Sequence, residues 1–136
     1  MKVFVDANVL VSAAATRGLC ADVLREILAS HELVVSPQVL DEVKRVLRAK
    51  FGADPELVAE YVGFLEQDAI ISLPGKLPDV VLRDKDDLPV LAAAISSRAR
   101  LLVTGDNELL DLAEVEEVKI VSPRRFLEKL RSRRPH

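Results

Sequence analysis

Val3-Phe4-Val5-Asp6-Ala7-Asn8-Val9-Leu10 and Leu101-Leu102-Val103-Thr104-Gly105-Asp106 decide how this chain is read. Each begins as a short apolar, β-type run that ends on an aspartate. In an open α/β sheet, ligands bind beyond the carboxyl ends of the strands, which makes Asp6 and Asp106 site candidates. Two further acidic points fall where helices begin, at Glu42 and in Asp84-Lys85-Asp86-Asp87. Two carboxylates about 5 Å apart repel by roughly 3 kcal/mol at an effective dielectric near 20. Four crowded ones therefore share protons or recruit a divalent ion. Mg²⁺ or Mn²⁺ suits such oxygen ligands and keeps coordination positions for water and phosphate, so phosphate-ester chemistry is the first functional expectation.

Working outward, Asn8 to Ala15 and Ala21 to Ala29 have helical composition, with Gly18 marking the break and Leu24, Ile27 and Leu28 spaced to face a core. Leu33-Val34-Val35 stops at Ser36-Pro37, and Val118-Lys119-Ile120-Val121 stops at Ser122-Pro123. Both junctions read as strand, N-cap, then proline in the first helical turn. In the helix after Ser36 the apolar stripe is Val39, Leu40, Val43, Val46 and Leu47. Glu42 lies about 40° from Val46 on the helical wheel and borders that stripe, whereas Asp41 points farther toward solvent. Asp54-Pro55 opens a helix with Leu57, Val58, Tyr61, Val62 and Leu65 as its stripe, and Ile70-Ile71 begins a strand. Residues 72 to 80 read as a surface connection. A helix is expected from about Asp86 to Ala99, with Pro89 tolerated in its first turn and Asp87 above the core-facing Leu91 and Ala94.

Short β runs alternating with longer helical patterns predict an α/β fold with a central, mostly parallel sheet flanked by helices on both faces. Right-handed crossovers put the strand carboxyl ends on one edge, which would bring Asp6, Glu42, Asp87 and Asp106 to a common rim. With 136 residues, 49% of them hydrophobic, one domain over residues 1–130 is expected. No apolar stretch approaches the ~20 residues of a membrane span and no secretory leader opens the chain, so a soluble cytoplasmic protein is expected. The lone Cys20 with His31 and His136 offers no zinc spacing. Net charge is −3, yet residues 122–136 carry six basic and one acidic side chain. The basic tail of residues 131–136, with Arg131, Arg133 and Arg134, is expected to fray and could touch nucleic-acid phosphates.

With those residues assembled, the chain resembles the PIN-domain family of metal-dependent ribonucleases, in particular VapC-like toxin components of toxin-antitoxin pairs. The resemblance rests on Val5 through Ala13, on Arg83-Asp84 leading to Asp87 with Leu91-Ala92 beyond, and on Val103-Thr104-Gly105-Asp106 followed by Leu109-Leu110. It implies Asp6, Glu42, Asp87 and Asp106 as metal-binding catalytic acids, Asp84 as an accessory acid, and Asn8, Ser12 and Thr104 as polar supports. It also implies a three-layer parallel sheet, Mg²⁺ or Mn²⁺ as cofactor, an RNA substrate, frequent homodimers and an antitoxin partner. Ala7 stands where the family often has a hydroxyl residue and Lys85 where proline is common. A one-residue slip in Asp84-Lys85-Asp86-Asp87 hands the ligand role to Asp86. Arg17, Arg83, Lys85 and the tail arginines are expected steering charges.

Other classes fit less well. An aspartate-based phosphatase wants a second aspartate two residues after the first, where this chain has Asn8. A receiver domain needs an acidic pair at the first strand and a lysine after a late strand, but Lys119 lies inside its β run. A PIN-like module kept for binding alone remains an alternative.

Overall fold

Val3, Phe4 and Val5 are all fully buried, which requires apolar cover on both faces of their strand. The computed structural model describes residues 1–133, and side chains through residue 130. Its strands are β1 (Lys2–Val5), β2 (Glu32–Val35), β3 (Ile70–Ile71), β4 (Leu101–Val103), β5 (Glu114–Val115) and β6 (Val118–Val121). Its helices are α1 (Ala7–Ala15), α2 (Leu19–Ser30), α3 (Pro37–Phe51), α4 (Pro55–Asp68), α5 (Asp87–Ser96), α6 (Asn107–Leu112) and α7 (Pro123–Arg133). The sheet order is β3-β2-β1-β4-β6-β5, and every pairing is parallel except β5 with β6.

From β1 the chain first moves outward through β2 to β3, then returns across the sheet to β4 and continues to β6. Right-handed crossovers place α1 to α4 on one face and α5 and α6 on the other, giving the three-layer arrangement expected. The order reverses between β1 and β4. Such a switch point opens a crevice at the strand carboxyl ends, and it is Asp6 and Asp106 that follow those two strands.

Local chemistry explains most boundaries. Ser36 caps α3, its Oγ accepting from the Val39 N–H at 3.2 Å, and Ser122 does the same for Arg125 at 3.1 Å. The α3 stripe buries Val39, Leu40, Val43 and Leu47. In α4, Val58, Val62 and Leu65 are buried, but Leu57 is 63% exposed, so the expected stripe is narrower than drawn. Tyr61 joins α4 to α1 by donating to the Leu10 carbonyl at 2.7 Å. Helix α5 ends at Ser96, short of Ala99, because Arg98 turns left-handed at φ 61 and the Ala99 N–H returns to the Ala94 carbonyl. The short β5 was not foreseen. It exists through the two-residue Glu116-Glu117 turn, with Glu116 at φ 52, a position that usually selects glycine or asparagine.

Helix α7 runs through Arg133, so the first part of the expected tail is helical, while residues 134–136 lie outside the described residues. Among the described residues, no single helix is long and apolar enough to cross a membrane.

Candidate metal centre

Asp6 leaves β1 and immediately caps α1, its Oδ1 accepting from the Ala7 N–H at 2.8 Å. Its Oδ2 accepts from the Thr104 hydroxyl at 2.8 Å and from Asn8 Nδ2 at 3.4 Å. Thr104 in turn accepts from the Asp106 N–H at 3.0 Å, and Asn8 Oδ1 accepts from the Gly105 N–H at 3.1 Å. Two side chains thus stitch the β1 and β4 termini together across the switch point. Asp6 is 6% exposed and Thr104 fully buried. Burial pushes the Asp6 carboxyl above its ordinary pKa, opposed by the Thr104 and Ala7 hydrogen bonds and reinforced by the charge of Asp106.

Asp106 caps α6, its Oδ1 accepting from the Glu108 and Leu109 N–H groups at 2.8 and 3.3 Å. The capping and site readings of this residue are therefore compatible, since Oδ2 makes no hydrogen bond among the described residues. Glu42 is half-buried on α3 beside exposed Asp41, as the helical wheel implied. Burial, then the charge of Asp6, raises its pKa, with Asp84 and Asp86 adding to the effect. Arg45, at 3.5 Å, pulls it the other way.

Asp87 opens α5, and its Oδ2 is buried without a hydrogen-bond partner. Its pKa is pushed up to about 7, by burial first and then by the negative charges of Asp106, Asp6, Asp84 and Glu42. An orphaned carboxylate oxygen surrounded by four acids is an expensive arrangement for a protein alone. Asp86, by contrast, is exposed and gives no side-chain cap to α5. Asp84 is also exposed, its Oδ1 accepting from the Asp86 N–H at 3.0 Å.

Asp6, Glu42, Asp87 and Asp106 are thus neighbours on one rim. Among the described residues, however, no three His, Cys, Asp or Glu side chains are gathered tightly enough to hold an ion as they stand. An all-oxygen set with one buried, unpartnered oxygen fits a hard divalent cation such as Mg²⁺ or Mn²⁺. Ser12 departs from its expected supporting role. It lies one turn along α1 from Asn8, and its hydroxyl and carbonyl meet Thr16 rather than a site acid.

Comparison with known proteins supplies the family. A model described as PIN domain matches residues 2–108, which includes Asp6, Glu42, Asp87 and Asp106. The chain belongs to the PIN-domain family. Two solved structures share its fold. One, at 14% identity and TM-score 0.62, is the crystal structure of VapBC2 from Rickettsia felis bound to a DNA fragment from their promoter; the match covers 90% of this chain and 98% of that one. The other, at 22% identity and TM-score 0.65, is PAE2754 from Pyrobaculum aerophilum, with 98% of this chain and 91% of that one covered. No curated protein matches the sequence.

Two residues of this PIN domain escaped sequence reading. Gln38 Nε2 donates to the Asp86 carbonyl at 2.9 Å. Glu108 accepts from the Arg83 and Asp84 N–H groups at 2.8 and 3.4 Å. Neither lies in a recognisable pattern, and their partners are backbone groups 48 and 25 positions away or nearly so.

The Thr104 bridge has a direct test. Thr104→Val keeps the shape but strips a buried donor from Asp6 and an acceptor from the Asp106 N–H. The expected cost is about 1–3 kcal/mol, read as a lower urea midpoint with an unchanged m-value.

Proposed function

We propose that this PIN domain is a metal-dependent endoribonuclease, using Mg²⁺ or Mn²⁺ at Asp6, Glu42, Asp87 and Asp106, and that it is the toxin half of a toxin-antitoxin pair. PIN domains are typically nucleases. The observation that carries the reading here is the buried, unpartnered Asp87 Oδ2 among four other carboxylates. Between the two candidates left open by the sequence, it favours Asp87 over exposed Asp86 as the ligand.

When bound, a divalent cation supplies water activation and offsets charge on the transition state and the leaving 3′ oxygen. The chain's own residues do the positioning. Thr104 and Asn8 aim Asp6 Oδ2, while Asp106 is oriented by the α6 amides it caps. Exposed Arg83 and Lys85 sit beside Asp84 on the rim, where they can meet backbone phosphates of a splayed single strand. Residues 1–130 form the working domain, as a cytoplasmic protein that homodimerises. The likeness to VapBC2 supports a small protein antitoxin as a further partner, one that lays a basic side chain near the acids. A short neighbouring reading frame is the expected genomic signature.

The test is cleavage of single-stranded RNA by the purified protein. Cleavage is expected with Mn²⁺ or Mg²⁺ and its loss on adding chelator. RNA left intact by metal-loaded protein would instead favour a PIN-like binding module.

A further inference from the structure

Asp87 follows a connection, residues 72–86, that contains neither helix nor strand. Its first part is anchored. The Ser72 N–H donates to the Val35 carbonyl at 2.8 Å, the Ser72 hydroxyl donates to the Ala93 carbonyl at 2.8 Å, and Leu82 is buried. Beyond Leu82 the chain surfaces, and Arg83, Asp84, Lys85 and Asp86 are all exposed. Exposed backbone of this kind opens easily. Yet it leads into a carboxylate that its neighbours repel.

We propose that Gln38 and Glu108 are positioning residues which tether this loop from both sides and so keep Asp87 beside the other acids on the rim. Among the described residues they supply the only side-chain hydrogen bonds to the backbone of residues 83–86 from outside the loop. Their placement makes the tether specific. Gln38 lies on α3 one turn before Glu42, and Glu108 lies two residues after Asp106. The two elements that carry Glu42 and Asp106 therefore also grip the segment that presents Asp87. Glu108 takes two successive N–H groups on its two oxygens, and Gln38 takes the last carbonyl before α5. Loss of either lets the loop relax outward under carboxylate repulsion. The cost then falls on cation affinity rather than on the core.

This inference rests on the metal-site reading above, so its test reads metal binding without RNA. Gln38→Met changes neither net charge nor approximate side-chain length. A change in its Mn²⁺ affinity therefore reflects the tether and not electrostatics. Calorimetric titration with Mn²⁺ is expected to show about a tenfold weaker dissociation constant for Gln38→Met and for Glu108→Ala, the scale typical of groups that orient metal ligands. Glu108→Gln, which keeps one acceptor, should fall between them and wild type. Amide hydrogen exchange over residues 83–87 should quicken in the same order. RNA cleavage at saturating Mn²⁺ should return to within about twofold of wild type, the mark of lost affinity rather than lost chemistry. Variants that match wild type in Mn²⁺ affinity would overturn the tether and leave the nuclease reading intact. Wild-type protein that binds Mn²⁺ and spares RNA, with weaker binding by the variants, would sink the nuclease reading and leave the tether standing.

Discussion

Asp6→Asn is expected to lower Mn²⁺-supported RNA cleavage by on the order of 10² to 10³-fold, the scale on which removal of one charge-stabilising group acts, while the protein stays folded. Asparagine has nearly the same shape, and its amide oxygen can still accept from either the Ala7 N–H or the Thr104 hydroxyl. The substitution also relieves the desolvation that raises the Asp6 pKa, so the metal-free fold should lose little stability. Single-turnover cleavage at several Mn²⁺ concentrations, alongside circular dichroism, separates the two effects. Near-wild-type cleavage by folded Asp6→Asn protein would remove this residue from the ligand set.

The second large effect concerns Asp87 and pH. Its folded pKa of about 7 lies above the ordinary 3.8, so between these values the native state holds a proton that the unfolded chain has released. The stability tied to that proton is fully present below pH 3.8 and is lost as pH rises through about 7. Asp6 and Glu42 are shifted in the same direction and add to the trend. Metal-free protein is therefore expected to lose stability as pH climbs from about 4 to 7. Asp87→Asn should flatten that profile and raise the melting temperature at pH 8 by a few degrees, about 1 kcal/mol once solvent screening at a half-exposed group is allowed for. The same variant should lose most of the Mn²⁺-induced rise in melting temperature that wild type shows. Thermal scans from pH 4 to 8, with chelator and with Mn²⁺, test both halves. A wild-type melting temperature that climbs across that range without metal would contradict the crowding of the acids.

These two expectations share one cause. A protein that places four carboxylates on one rim loses stability unless something else binds there, which is a familiar signature of sites kept for function. The tethers of the 83–86 loop belong to the same balance, because they resist an expansion that would relieve the strain.

Much of this was legible in the chain itself. The apolar runs of β1, β2, β4 and β6, the serine-proline junctions after β2 and β6, and the wheel position of Glu42 all depend on neighbours within a turn or a strand length. Local chemistry therefore reports them. The same holds for Asp6 and Asp106, each placed directly behind an apolar run. Where the expectations slipped, the deciding contacts were distant. The exposure of Leu57, the early end of α5 at the left-handed Arg98, and the Thr16 contact of Ser12 each depend on what the finished fold places nearby.

Sequence alone determined a parallel α/β sheet and four acids positioned near strand ends or helix starts, because period and punctuation survive without knowledge of partners. Tertiary structure alone decided that β1 and β4 lie side by side at the switch point, so that Thr104 and Asn8 bind Asp6 to the Asp106 turn. It alone buried Asp87 Oδ2 without a partner and brought Gln38 and Glu108 to the loop, since burial and hydrogen bonding between residues far apart in sequence leave no local trace in the chain.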